Sequence, residues 1–260
     1  MDNQLIQSFW RGRPLSNVEI LSIKSFLAHG HTVVVYAYDE VVNLPKGALT
    51  RDAREILPEE CFFINQNAGF GKGSCSPFSD LFRMALLVEN GGWWVDLDVV
   101  CLRAWDISQN IVIASSDEKQ WGILPNANVL KVPPGNALVK SCFDRLKGRD
   151  PAKAGHADGP HTVQHFVKDL DLTRAVAPHW WFNPIQWRYA KYIVKPEEFP
   201  FHPRRIKRWL GITERLGRIH AESYAVHLWG EVWTQAGWDR NGRYPARSLF
   251  ERLKRRHGVA

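Results

Sequence analysis

The sequence has no apolar run approaching the roughly 20 residues that span a bilayer. Its opening, MDNQLIQSFWRGR, lacks the roughly 7–15-residue apolar stretch of a secretory leader. A membrane-anchored or conventionally secreted protein is therefore not expected. Cysteine is scarce: Cys61, Cys75, Cys101 and Cys142 are scattered, with no CxxC pair. That pattern argues against a disulfide framework or a zinc site and fits reduced thiols in a cytoplasmic protein. Internal repeats, low-complexity segments and linkers are also missing. The 260 residues therefore suit one large domain or at most two small ones.

Charge is only mildly unbalanced, with 34 Lys and Arg against 27 Asp and Glu, or +7 formally. The excess gathers in residues 203–218 (PRRIKRWLGITERLGR) and 245–257 (PARSLFERLKRRH). No recognition motif accompanies these stretches, so nucleic acid is not an expected partner. They read either as solvated helix faces or as contacts for anionic lipid or phosphorylated ligands. In the second case Leu249, Phe250 and Leu253 form the apolar side of a membrane-contacting helix. What is abundant is aromatic: 12 Trp and 13 Phe. Trp joins a broad apolar face to one donor, which suits a core and also stacking on flat ligands or sugar rings.

The front half alternates between strand-like and helix-like stretches. Gln4–Trp10 reads as a strand, Leu15–His29 as a helix and Thr32–Tyr38 as a second strand, the start of a parallel α/β sheet. Ser76-Pro77 signals a helix start, with Ser as cap. Leu81, Met84, Ala85 and Val88 then form one stripe, and Asn90-Gly91-Gly92 stops the helix. Trp93–Leu102 (WWVDLDVVCL) follows as a strand. Further on, Ile111–Ser115, Asn128–Val132 and Tyr224–Trp229 read as strands, and Asn136–Leu146 and His161–Leu170 as helices.

In WWVDLDVV, Trp93, Val95, Leu97 and Val99 point one way, and Trp94, Asp96 and Asp98 the other. Two carboxylates on one side of an apolar strand repel each other and resist burial. A hard divalent cation, magnesium or manganese, resolves both problems and binds phosphate oxygens as well. In open α/β sheets such ligands lie at the carboxyl ends of the strands. Asp80 and Arg83 stand three apart on the preceding helix and share a face, and its reversal brings its first turn toward that strand end. The plainer alternatives are a surface turn with two acids and a surface Asp–Arg pair of little energetic weight.

The block Phe78–Arg83 through Glu89–Asp98 resembles the SD-x-x-R … GG-x-Y-x-D-x-D block of DXD-motif glycosyltransferases of the family-32 type. That group is related to capsular and lipopolysaccharide enzymes, α-1,4-galactosyltransferases and clostridial toxin catalytic domains. Phe9-Trp10-Arg11-Gly12, Gly30-His31, Gly159-Pro160, Asn183-Pro184 and residues 224–229 (YAVHLW) are similar to further landmarks of the family. The resemblance implies a GT-A fold, with a mixed, mostly parallel central sheet flanked by helices, in a single domain over 1–260. Residues 1–100 would form the nucleotide-sugar half, and 101–260 the acceptor half with its basic C-terminal helix.

It also implies a retaining, metal-dependent transfer of a hexose from a nucleotide-diphosphate sugar, UDP-linked by family habit. The acceptor would be a glycan or lipid-linked saccharide in surface polysaccharide assembly. The location would be the cytoplasm, peripheral at the inner face of the membrane. Carried over residue by residue, Asp98 is the direct Mn2+ or Mg2+ ligand, with Asp96 and His227 as further metal candidates. Asp80, Arg83 and Asp96 are the catalytic candidates. Trp10, Ser79, Asp80, Arg83 and Asp96 would bind the donor. His227 equally fits a half-buried strand histidine, and Trp10 a core residue. The one departure is Trp94 in place of the usual Tyr, which loses a hydroxyl.

Two rivals stand beside this reading. WVDLDVV also fits an Asp-x-Asp phosphohydrolase, but there the motif opens the chain, and the nearest later acidic pair is Glu197-Glu198 in a Pro-flanked stretch. A non-catalytic nucleotide-sugar-binding protein is the other, against which the joint presence of Asp80, Arg83, Asp96 and Asp98 argues.

Overall fold

The computed structural model describes residues 4–12, 14–118, 120–196 and 219–260. The basic stretch 203–218 and the pair Glu197-Glu198 lie outside the described residues. β1 (Leu5–Trp10), α1 (Asn17–Ala28) and β2 (Thr32–Ala37) open the chain as the alternation predicts. Ser16 starts α1 through a capping box with Glu19, satisfying backbone donors at the helix entrance. A short, exposed β3 (Leu49–Asp52) follows, which its polar sequence LTRD does not announce.

α2 (Ser76–Glu89) is buried on nearly every side, Asp80 and Arg83 included. Ser76 does not cap it: Cys75 holds the cap position without a side-chain bond, and Ser76 Oγ instead lies 3.1 Å from His156 Nδ1. The helix ends where predicted. Gly91 and Gly92 have φ of 59° and 81°, and a Cβ on Gly91 would meet Pro134 N at 2.4 Å, so only glycine fits the reversal.

The predicted strand over 93–102 is broken in two. β4 (Gly92–Val95) lies in the main sheet, whereas β5 (Val99–Cys101) pairs antiparallel with β8 (Ala225–His227) in a separate two-stranded sheet. Asp96 N donates to Asn128 O and Val99 N to Asp96 O, which closes a turn over 96–98. The carboxylates sit at this turn because the ladder interior would bury them among apolar neighbours. The predicted alternation survives the break: Trp93, Val95, Leu97 and Val99 join one core cluster and Trp94 the opposite one.

The main sheet has the order β3-β2-β1-β4-β7-β6, with β6 (Val112–Glu118) and β7 (Gly122–Val132) forming a hairpin. The β3-β2, β2-β1 and β1-β4 pairs are parallel, and the β4-β7 and β7-β6 pairs antiparallel. Mixed and mostly parallel, the sheet matches the expected architecture. One face packs on α2, α3 (Ala137–Lys147) and α4 (Asp158–Asp169), the other on α1. The hairpin outruns its predicted strands: residues 116–118 and 122–127 continue the ladder as a mixed polar and apolar stretch whose Ile123 is exposed, so alternation gives no signal there.

Two short helices, α5 (His179–Phe182) and α6 (Lys191–Val194), lead to β8, then α7 (Gly230–Gln235) and α8 (Leu249–Arg256). The late strand is shorter than the expected 224–229 because Trp229 turns the chain with φ of 62°. The membrane reading of α8 is corrected here. Phe250 and Leu253 are buried against Trp233 and Val226, and Lys254 is buried with them. The apolar side of this helix is a core face, and only Arg252, Arg255 and Arg256 are exposed. No helix among the described residues is long and apolar enough to cross a membrane.

Candidate functional site

A single cavity of about 970 Å³ opens at the carboxyl ends of β1 and β4, and it collects every residue the sequence singled out. Trp10, Ser79, Asp80, Arg83, Asp96, Asp98 and His227 all line it. Arg83 is the centre. Its Nη1 donates to Asp80 Oδ1 at 2.6 Å and its Nη2 to Asp96 Oδ1 at 2.7 Å, one guanidinium bridging two carboxylates. The i, i+3 spacing made the first contact, and the Gly91-Gly92 reversal the second. Arg83 Nε is buried and has no hydrogen-bond partner among the described residues. A buried donor of this kind costs stability unless a ligand completes it.

Trp94 does more than fill the place of a tyrosine. Its Nε1 donates to Asp96 Oδ1 at 2.7 Å, and the Arg83 guanidinium lies 5.0 Å from the centre of its ring. The lost hydroxyl is thus replaced by another donor. Trp10 stands at the end of β1, partly buried, with its indole N–H unpartnered among the described residues. Ser79 is half-buried in the first turns of α2.

Asp98 forms the second focus. Its Oδ1 lies 3.1 Å from His227 Nε2, and its Oδ2 accepts the Gly230 N–H at 2.6 Å. His227 is held from behind, where Asn128 Nδ2 faces its Nδ1 at 3.3 Å and Asn128 pairs with Asn183. This directs the Nε2 proton at Asp98. The Trp229 ring lies against the imidazole, with centroids 3.9 Å apart. Trp229 reaches that position only through its left-handed backbone, a conformation that costs on the order of 1–3 kcal/mol and clusters at functional sites.

Burial pushes the Asp80 carboxyl up to about 6, with Arg83 opposing and Asp96 assisting the shift. Burial also raises Asp96, against the pull of Arg83. Asp98 goes the other way: burial works to raise it, but His227, the Gly230 N–H and Arg240 outweigh that and hold it at about 2. One site therefore contains a carboxylate kept strictly ionised and two whose charge depends on the guanidinium between them. Native Asp80 binds its proton more tightly than the unfolded chain does. Its contribution to stability is full below 3.8 and is lost as pH rises through about 6, about 3 kcal/mol in all. Asp80→Asn is expected to remove that slope from urea midpoints measured between pH 4 and 7. An unchanged slope would show that Asp80 is ionised throughout.

Three participants escaped the sequence. Arg240 donates to Glu19 Oε1 and to Gly230 O, each at 2.7 Å, tying α1 to the loop that carries Asp98's donor. Gly230 and Gly159 are positions where a side chain would enter the site. A Cβ on Gly230 would stand 3.0 Å from Asp98 Oδ2, and one on Gly159 2.2 Å from Asp80. Gly159 was noted only as a landmark, and nothing in local spacing gives its contact with residue 80.

The donor set fits a hard divalent cation that also takes ligands from outside the protein. Among the described residues no group of three or more His, Cys, Asp and Glu is arranged as a complete cage. Asp98 and His227 present an adjacent oxygen and nitrogen, with Asp96 in the same cavity. Magnesium-like ions are commonly held by one or two carboxylates together with substrate phosphates, not by an all-protein cage.

Residues 40–117 match the family model described as a glycosyltransferase sugar-binding region containing a DXD motif. The match spans Asp80, Arg83, Asp96 and Asp98. No curated protein matches the chain. Among solved structures, PaToxG glycosyltransferase is similar at 13% identity over 65% of this chain and 71% of its own, with a TM-score of 0.43. The apo-form glycosyltransferase GlyE of Streptococcus pneumoniae TIGR4 is similar at 10% identity over 98% of this chain and 64% of its own, with a TM-score of 0.47.

Proposed function

We propose that this chain, a DXD-type glycosyltransferase, moves a hexose from a nucleotide-diphosphate sugar to a glycan or lipid-linked saccharide, with retention at the anomeric carbon. The observation that carries the reading is the Asp80–Arg83–Asp96 bridge beside the Asp98–His227 pair in one cavity. Arg83 is placed to take the negative charge of the departing diphosphate, and its unpartnered Nε is a donor still available for it. Asp80 and Asp96 hold the guanidinium and accept sugar or ribose hydroxyls on their remaining oxygens. Trp10 stacks on the base, and Ser79 borders the donor. Residues 1–100 thus supply most of the donor-binding side chains, His227 joins them from β8, and much of the remaining chain faces the acceptor.

Asp98, His227 and Asp96 would hold Mn2+ or Mg2+, the cation replacing the proton now shared by His227 Nε2 and Asp98 Oδ1. Such an ion supplies charge neutralisation for the diphosphate. In the transfer the acceptor oxygen bonds to the anomeric carbon as the bond from that carbon to phosphate oxygen breaks. The acceptor proton passes to the leaving phosphate. Asp80 and Asp96 each give one oxygen to Arg83 and the other to donor hydroxyls in this reading, so neither is assigned as a covalent nucleophile. With Asp96 Oδ1 held by Arg83 and Trp94, the phosphohydrolase reading would need attack by Oδ2, the oxygen assigned here to a donor hydroxyl.

UDP as the nucleotide and surface polysaccharide as the pathway follow family habit. Any contact with anionic membrane falls to the exposed Arg252, Arg255 and Arg256. A thermal-shift panel of UDP-, GDP-, ADP- and CMP-linked sugars, each with manganese, magnesium or EDTA, tests the reading. A ligand that binds the native state raises its melting temperature by mass action. One nucleotide class is expected to stabilise the protein only with metal present. Stabilisation by none of them would reject the transferase assignment of the cavity.

A further inference from the structure

The same cavity has a second, aromatic end that the donor does not account for. Phe70, Trp121 and Trp187 all line it and are 49%, 72% and 44% exposed. Single exposed aromatics are ordinary, but Trp121 and Trp187 both attach to Glu118 at one mouth of the cavity and form a patch that calls for a ligand, whereas Phe70 packs on His156 near the start of α2. Trp187 is not exposed by default. Its Nε1 donates to Glu118 Oε2 at 3.0 Å, while neighbouring Gln186 and Arg188 bond to Asp117. These bonds fasten the indole edge to the β6–β7 hairpin; the Arg188 guanidinium lies 5.7 Å from the ring centroid, and the exposed remainder of the ring borders the cavity. Trp121, at the hairpin tip, makes no ring contact among the described residues; its backbone N–H donates to Glu118 O at 2.9 Å.

Topology places this end opposite the donor. β4 lies between β1, which carries Trp10, and the β7–β6 hairpin. β6 runs parallel to β4 and β7 antiparallel, so the hairpin tip projects from the sheet edge where Asp96 sits. Asn128 O receives the Asp96 N–H, and β7 extends outward from there to Gly122. Six residues of strand amount to about 20 Å. A single sugar ring at the Asp80–Arg83–Asp96 centre cannot also reach Trp121.

We infer that Trp121 and Trp187 form an acceptor platform for an uncharged oligosaccharide of several units, the non-reacting units stacking on the indole faces. The inference rests on the transferase reading for its identification of the acceptor end. The platform joins apolar faces to hydroxyl-binding groups on Gln164, His161 and Lys168, the one exposed cation there among the described residues, with Asp117 and Glu118 already engaged by Gln186, Trp187 and Arg188. An indole face meets the C–H side of a ring, and the polar rim meets its hydroxyls.

The test is calorimetry on wild type, Trp121→Ala and Trp187→Phe with gluco-, galacto- and manno-oligosaccharides from one to five units. UDP and GDP with manganese serve as donor-side controls. One sugar series should bind wild type with affinity that rises with length. Trp121→Ala should lose about tenfold for the longer members and none for the nucleotide, whereas Trp187→Phe, which keeps a flat face, should lose less. Absence of oligosaccharide binding, affinity independent of length, or equal affinity in Trp121→Ala would overturn the platform. Loss of oligosaccharide affinity in Trp121→Ala without any nucleotide binding would instead keep the platform and reject the transferase reading.

Discussion

Replacing Arg83 by alanine is expected to cost about 3–5 kcal/mol of stability and about 10²–10³-fold in turnover. Both effects have one source. Arg83 is 5% exposed, and its guanidinium sits between two carboxylates that burial already pushes toward protonation. Removing it leaves Asp80 and Asp96 desolvated, facing each other and without a counter-charge. Part of the lost stability should return as pH falls, because protonation of either acid relieves the repulsion. Arg83→Lys separates the two effects. A single ammonium keeps the charge but cannot bridge two carboxylates in a planar fork. Urea unfolding should therefore show a smaller loss for Arg83→Lys, while turnover stays near the alanine level. Equal turnover of Arg83→Lys and wild type would reduce Arg83 to a point charge and remove the bridge from the account.

Gly159→Ala is the smallest substitution with a large expected effect. The residue lies in the first turn of α4 with ordinary helical backbone, where alanine is otherwise the better helix former. Its added Cβ would stand 2.2 Å from Asp80 Cγ, so either α4 retreats or Asp80 leaves Arg83. Overpacking of this kind costs about 1–3 kcal/mol. Displacing a carboxylate by an ångström at a transfer site costs about 10²-fold in rate. The clash requires both partners. In an Asp80→Ala background Gly159→Ala should be neutral or stabilising, and the two changes should be non-additive by more than 1 kcal/mol. Simple additivity would show that α4 yields freely and that the glycine has no part in positioning Asp80.

These two predictions mark what the sequence does and does not disclose. Asp80, Arg83 and Asp96 were legible together because each step between them is local: a helical i, i+3 spacing, a double-glycine reversal and a short strand. The break at 96–98 was not legible, because alternation continues through the turn and both segments are apolar. Amphipathicity in α8 predicted a buried face but not what buries it, and Trp233 with Val226 takes the place assigned to lipid. Gly159, Gly230 and Arg240 act on residues 79, 132 and 221 positions away in the chain, distances set by tertiary packing alone. Trp94 shows a subtler gap. As a departure from a motif it read as a loss, while its indole N–H restores a donor to Asp96.

The pairing of Asp98 with His227 is the point on which a metal-dependent donor site stands, and it can be examined directly. Calorimetric titration of the nucleotide sugar selected by the stability panel would compare wild type and Asp98→Ala, each with manganese and with EDTA. The account predicts that wild type binds with manganese and at least about tenfold more weakly with EDTA, and that Asp98→Ala binds at the EDTA level under both conditions. Undiminished, manganese-dependent affinity in Asp98→Ala would contradict it and move the metal, and with it the diphosphate, away from this turn.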